Sequence, residues 1–211
     1  MMEAITMPAL RGSEALQRLL AYEDVNTVLD VGSGAGDHAM AMRAAGKTVT
    51  TVSLEPPADH LCDYVGNRQI KSGFDAIWAC HVLEHQPNVN AFLVQCFKDL
   101  RDDGVLAVTV PPHKPNVVGG HMTTWNSGIL LYNLIIAGFD CHEARVSDCY
   151  SSGIAPDGKP YPRYNLSVIV RKRAAILPPL RFDAGDVARL AEFFPCPVTD
   201  GFDGRLPSIR W

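Results

Sequence analysis

Residues 27–36 read Thr27-Val28-Leu29-Asp30-Val31-Gly32-Ser33-Gly34-Ala35-Gly36. A short apolar run that ends in glycines suits a strand buried on both faces of a parallel sheet. Asp37 then opens a helix predicted over 37–45, its carboxylate favoured by the helix dipole and Gly46 supplying the stop. Glycines between a strand and a helix let the backbone turn tightly and approach a ligand, while the helix N-terminus favours an anionic group. The spacing separates the possible ligands. A dinucleotide fingerprint, G-x-G-x-x-G, would place its third glycine at position 37, which is Asp37. A phosphate-cradling P-loop needs a lysine after its last glycine, and none follows. The pattern is instead D-x-G-x-G-x-G.

Working outward, further strands are predicted at 47–54, 75–80, 105–110 and 164–170, with a weaker one at 141–146. A helix is predicted over 13–22, with Leu16, Leu19 and Leu20 on one face and Ser13 as N-cap. Others fall at 90–100, at 127–137 before Gly138, and at 184–194. Strands alternating with helices of this length indicate a parallel sheet covered on both faces. The ligand site of such a sheet lies at the carboxyl ends of its strands. The segments that matter are therefore 32–36, Glu55, 81–85 and 111–113.

The whole chain fits that frame. Its 211 residues are 47% hydrophobic and 20% charged, which suits one globular domain and excludes wholesale disorder or a coiled coil. A net charge of −4 argues against a general electrostatic grip on nucleic acid. The longest apolar stretch, 129–137, contains Asn133 and is too short to span a bilayer. The N-terminus has no basic region followed by an apolar block, so no signal peptide is expected. The six cysteines form no C-x-x-C pair, so reduced thiols and a cytoplasmic location are expected.

Glu55 stands nineteen residues beyond Gly36, at the end of the second predicted strand. A carboxylate there can accept hydrogen bonds from both hydroxyls of a ribose. Loop and acid together describe a site for an adenosine-type ligand with a charged head rather than a pyrophosphate. These two motifs, followed by Phe74-Asp-Ala-Ile-Trp-Ala-Cys-His-Val-Leu-Glu-His85, resemble the class I S-adenosylmethionine-dependent methyltransferases over roughly 25–172. The resemblance implies an α/β, Rossmann-like three-layer sandwich with a mostly parallel seven-stranded sheet whose last strand is antiparallel. It implies S-adenosyl-L-methionine as cofactor and S-adenosyl-L-homocysteine as product. Asp30, Gly32, Ser33, Gly34 and Gly36 would hold the amino-acid end and Glu55 the ribose, with Cys80 and His81 at the end of the fourth strand. Between Glu55 and Phe74 the family's usual helix must be short or absent. Residues 63–67 are the candidate third strand, where Asn67 would take the adenine amino group, with Asp63 as its competitor. The domain division expected is 1–173 for the methyltransferase and 174–211 for an irregular extension docked through Phe193, Phe194, Phe202 and Trp211.

His81-Val-Leu-Glu84-His85 also matches H-x-x-E-H, a zinc-hydrolase pattern that requires both histidines on one helix face. The strand-like run before it and Pro87 after it oppose such a helix, so no metal is expected. A histidine here can accept a proton from a substrate hydroxyl, which suits O-methylation. His85 is the favoured base, and His81 borders the methyl group. The long Pro- and Gly-rich segment 111–121 opens on the same side, with His113, His121 and Trp125 as candidate substrate contacts. The wider pattern 81–90, 110–125 and 203–211 resembles methyltransferases linked to bacterial surface-polysaccharide biosynthesis. It points to a sugar, glycan or nucleotide-sugar hydroxyl as acceptor, with a small metabolite as alternative. A binding module that keeps the cofactor pocket without catalysis is the alternative of another class.

Overall fold

The computed structural model describes residues 10–67, 69–154 and 158–211. Its central sheet has seven strands: β1 (Thr27–Val31), β2 (Thr48–Ser53), β3 (His60–Leu61), β4 (Phe74–Cys80), β5 (Leu100–Val110), β6 (Arg145–Ser147) and β9 (Leu166–Arg171). A separate two-stranded ribbon pairs β7 (Ser152–Ile154) with β8 (Pro160–Pro162). The sheet order is β3-β2-β1-β4-β5-β9-β6. All pairs from β3 to β5 are parallel, and β9 runs antiparallel to both of its neighbours. The strand order reverses between β1 and β4, so the connections leave the sheet on opposite faces there and open a crevice at the strand ends.

Helices cover both faces. Helices α1 (Ser13–Leu20) and α2 (Asp37–Ala44) bury Leu16, Leu19 and Met42 on one side with Val28, Trp78 and Ala107. Helices α3 (Val89–Asp99) and α4 (Ser127–Ile136) bury Phe92, Leu93, Leu131 and Leu134 on the other, against Leu29, Ile77 and Leu106. Alternate residues of each central strand therefore feed two separate cores, which is why the strands read as continuous apolar runs. Asn88 and Asn126 cap α3 and α4 by accepting hydrogen bonds from the third residue onward, Ala91 N–H and Ile129 N–H.

Several boundaries differ from expectation. The third strand is His60–Leu61, not 63–67. Asp59 fixes it early: its carboxylate accepts from Thr51 N–H and Oγ1, both at 2.9 Å, and its own N–H donates to Thr51 Oγ1. Asp63 then starts a turn by accepting Val65 N–H. No helix stands between β2 and β3. Ser13 is the first helical residue rather than the cap, because the left-handed Gly12 occupies the cap position. Strand β5 begins at Leu100, directly after α3, since the buried Leu100 pairs with Phe74. The predicted helix 184–194 divides into α5 (Asp186–Leu190) and a 3-10 turn. In the 147–163 excursion, Pro156 and Asp157 lie outside the described residues.

Residues 174–211 lie against the body. Ile209 pairs with Val146, Gly204 accepts from Gly128 N–H, and Trp211 Nε1–H donates to Glu14. Among the described residues, no helix is long and apolar enough to cross a membrane.

Candidate active site

A cavity of about 970 Å³ opens at the carboxyl ends of β1, β2 and β4. Its walls include Gly32, Gly34, Glu55, Asp63, His81 and His85. The glycine loop is fastened from below: Gly32 and Ser33 N–H both donate to Val52 O, and Gly36 N–H donates to Ser33 O. Gly32 has φ +75°, and a Cβ on it would stand 2.2 Å from Val82 Cγ2. Only glycine lets the loop lie this close to the β4 turn.

Asp30 sits under that loop at 1% exposure, and its Oδ2 accepts no hydrogen bond. Desolvation pushes its pKa up to about 7 against a small opposing pull from Arg43. A buried carboxyl group with one unpartnered oxygen favours the approach of a cationic group. Ser33 is buried as well, with an unpartnered Oγ. Glu55 is exposed at the rim.

His81 follows β4 with φ +56°, a left-handed conformation that costs a non-glycine residue about 1–3 kcal/mol. That turn aims its ring across the strand ends. Its Nε2 is 2.8 Å from Asn165 Oδ1, its Nδ1 is 3.1 Å from Glu84 Oε1, and its face stacks on Tyr164. Residues 83–85 form a single 3-10 turn, not a longer helix. His85 lines the cavity, and its Nδ1 is 2.8 Å from the Gly120 carbonyl, so Nδ1 carries the proton and Nε2 the lone pair. Cys80 receives a hydrogen bond from Thr109 Oγ1, and burial pushes its thiol up to about 11.

Other residues are placed elsewhere. Asn67 lines a different depression with Gln95, Lys98 and Asp99, and its carbonyl accepts Gln69 N–H. Asp63, not Asn67, is on the cavity wall. Trp125 is 2% exposed within the main core, so its ring is an anchor under the loop and not a substrate contact. His113 is exposed, and its N–H donates to Trp125 O at 2.7 Å. His121 packs edge-on against His85, ring centroids 5.0 Å apart. Sequence reasoning missed Asn165. Its signal was available: β9 runs antiparallel, so the residue before it falls at the same sheet edge as His81.

The cavity, the glycine loop and the sheet order define a class I S-adenosylmethionine-dependent methyltransferase. The chain belongs to the methyltransferase domain family, which matches residues 9–133. Solved structures share the fold. A SAM-dependent methyltransferase from Archaeoglobus fulgidus aligns with TM-score 0.59 at 13% identity, covering 76% of this chain and 92% of the other. The 1,6-didemethyltoxoflavin-N1-methyltransferase of Burkholderia thailandensis, solved with 1,6-didemethyltoxoflavin and S-adenosylhomocysteine, gives 0.59 at 20% identity, covering 75% and 76%. TehB from Haemophilus influenzae gives 0.57 at 14% identity, covering 78% and 63%. A search of curated proteins finds no match.

Proposed function

We propose that the protein transfers a methyl group from S-adenosylmethionine to a hydroxyl of a sugar, glycan or nucleotide-sugar. When bound, the cofactor supplies an electrophilic methyl on a sulfonium. Asp30 would receive the ammonium of its amino-acid end, since a buried carboxylate with a free oxygen fits a cation. Gly32, Ser33, Gly34 and Gly36 would shape the backbone around the same end. Glu55 at the rim suits the ribose hydroxyls. Asp63, from its place on the wall, is the better candidate than Asn67 for the adenine amino group. Cys80 and His81 would border the methyl.

The observation that carries the hydroxyl reading is the orientation of His85. With its Nδ1 proton held by Gly120, its Nε2 lone pair is free to take a proton at the cavity wall. An acceptor hydroxyl needs to lose that proton as its oxygen attacks. Alignment of the reacting atoms supplies much of the rate in such a displacement. His113 and His121 supply polar contacts on the open side, which favours a polyhydroxylated acceptor over an apolar one.

The test is an acceptor screen that measures S-adenosylhomocysteine release with nucleotide-sugars, oligosaccharides and small aromatic metabolites. Turnover with the sugar compounds supports the reading, and turnover with aromatic nitrogen acceptors alone overturns it. His85→Ala is expected to keep cofactor affinity and lose turnover.

A further inference from the structure

We propose that Glu84, His85 and His121 form a binding site for one divalent transition-metal ion of the zinc type at the edge of the donor cavity. One ligand atom from each of the three lies within 4.8 Å of the others. Two imidazoles and one carboxylate are a donor set that suits zinc and its neighbours in the first transition row, whereas magnesium and calcium take oxygen ligands.

The independent observation is the Glu84 side chain. The residue is 0% exposed, and neither of its carboxylate oxygens accepts a hydrogen bond. An ionised carboxylate is costly to bury without a partner. His81 Nδ1 stands 3.1 Å from Glu84 Oε1 and pairs with that side of the carboxylate, while Oε2 is buried with no partner. A cation beside Glu84 would satisfy the carboxylate on its remaining side.

The surroundings are arranged as metal ligands require. A ligating histidine donates its second ring N–H to a carbonyl or carboxylate, which fixes ring and tautomer. His85 does this: Nδ1 faces Gly120 O at 2.8 Å, which leaves Nε2, 4.0 Å from Glu84 Oε1, as the ligand atom. Gly120 has φ +81°, and a Cβ there would stand 3.1 Å from His85 Nδ1, so the close approach of this carbonyl depends on glycine. The loop that carries His121 is tied to the same turn. Met122 and Thr123 N–H both donate to the Glu84 carbonyl, and Thr123 Oγ1 donates to Leu83 O. The donors need close by at most about 1.4 Å to reach the ~3.4 Å spacing of tetrahedral zinc ligands. The H-x-x-E-H pattern therefore contributes only its last two residues, and the third ligand comes from a loop after β5. An ion held there would stand at the wall of the donor cavity. The ion would take the Nε2 lone pair that the proposed function gives to the base, so in the metal-bound form His85 is a ligand and not the base; binding itself does not rest on the proposed function.

The experiment strips the protein with a chelator and titrates Zn2+ calorimetrically, then Co2+ with visible absorption. One equivalent of Zn2+ is expected to bind, with Mg2+ giving no heat. The Co2+ form should show d–d bands without a thiolate charge-transfer band. His121→Ala, a loop change away from the core, should abolish stoichiometric binding. Gly120→Ala should weaken it by about 10–100-fold. His113→Ala, on the same loop, should leave it intact. Absence of stoichiometric Zn2+ in the parent, binding unchanged in His121→Ala, or a thiolate band that assigns the ion to cysteines would each overturn the proposal. S-adenosylhomocysteine affinity, measured in parallel, reports on the donor site separately.

Discussion

The two sides of the cavity are built on different terms. On the donor side, residues 32–36 connect β1 to α2 in a few residues, fastened to Val52 and stacked over a buried acid. On the acceptor side, residues 111–126 connect β5 to α4 in a long loop exposed from 113 to 120 and tied down at its ends, by His113 to Trp125 and by Met122 to Glu84. In the proposed function the first region holds the donor through backbone shape and one desolvated charge, and the second meets the acceptor through side chains on a loop anchored by Trp125. Acceptor chemistry can therefore change without disturbing the sheet, as expected of functional loops on a rigid scaffold, whereas any change in the donor loop touches fold and binding together.

The largest effect belongs to Asp30. Its folded pKa of about 7 lies above the unfolded value of 3.8, so the fold favours the protonated form. The stability this contributes is full below pH 4 and is lost as pH rises through 7. Roughly 3 pH units correspond to about 4 kcal/mol as an upper bound. Asp30→Asn should raise unfolding stability at pH 8 by up to about that amount, with little effect at pH 4. Donor binding should behave oppositely, strengthening in the parent as pH rises through about 7 and becoming flat and weak in the variant. A pH-independent melting curve in the parent would break the contrast between the two sides.

Gly32→Ala comes next. A left-handed alanine costs about 1–2 kcal/mol, and a side chain driven into Val82 adds about 1–3 kcal/mol. Chemical denaturation should record a loss of about 3 kcal/mol, together with loss of S-adenosylhomocysteine binding. Glu55→Ala separates the two consequences. Glu55 is exposed and away from the core, so stability should stay within about 0.5 kcal/mol. Calorimetry should show cofactor binding roughly 100-fold weaker, as befits lost hydrogen bonds to a charged acceptor. Equal affinity in parent and variant would remove Glu55 from the site.

The contrast also explains what the sequence discloses. The strand–glycine–helix unit and the β4 run are legible because local pattern and tertiary placement agree there: apolar period, glycine and first-turn acid all point one way. The third strand is not, since a two-residue strand pinned by Asp59 on Thr51 has no periodicity to read. His81, His85 and the glycine loop come together because strand ends converge, which the topology dictates. Trp125 misleads, because an aromatic beside a functional loop looks the same in sequence whether its ring faces a ligand or anchors the loop beneath. Glu84 and His121, distant in sequence, meet only through hydrogen bonds from Met122 and Thr123 that no motif records.

The smallest effect tests the acceptor side. His113 is exposed, and the hydrogen bond that fixes its position comes from its main-chain N–H to Trp125 O, which any residue but proline retains. His113→Ala should therefore leave unfolding stability within about 0.5 kcal/mol and cofactor affinity unchanged. If the side chain meets the acceptor, KM for that acceptor should rise by about tenfold with kcat nearly constant, the signature of lost ground-state binding of about 1.4 kcal/mol. A fall in kcat at constant KM would instead place His113 in the transition state. A loss of cofactor affinity would show that the two sides of the cavity are coupled through the loop, against the division drawn between them.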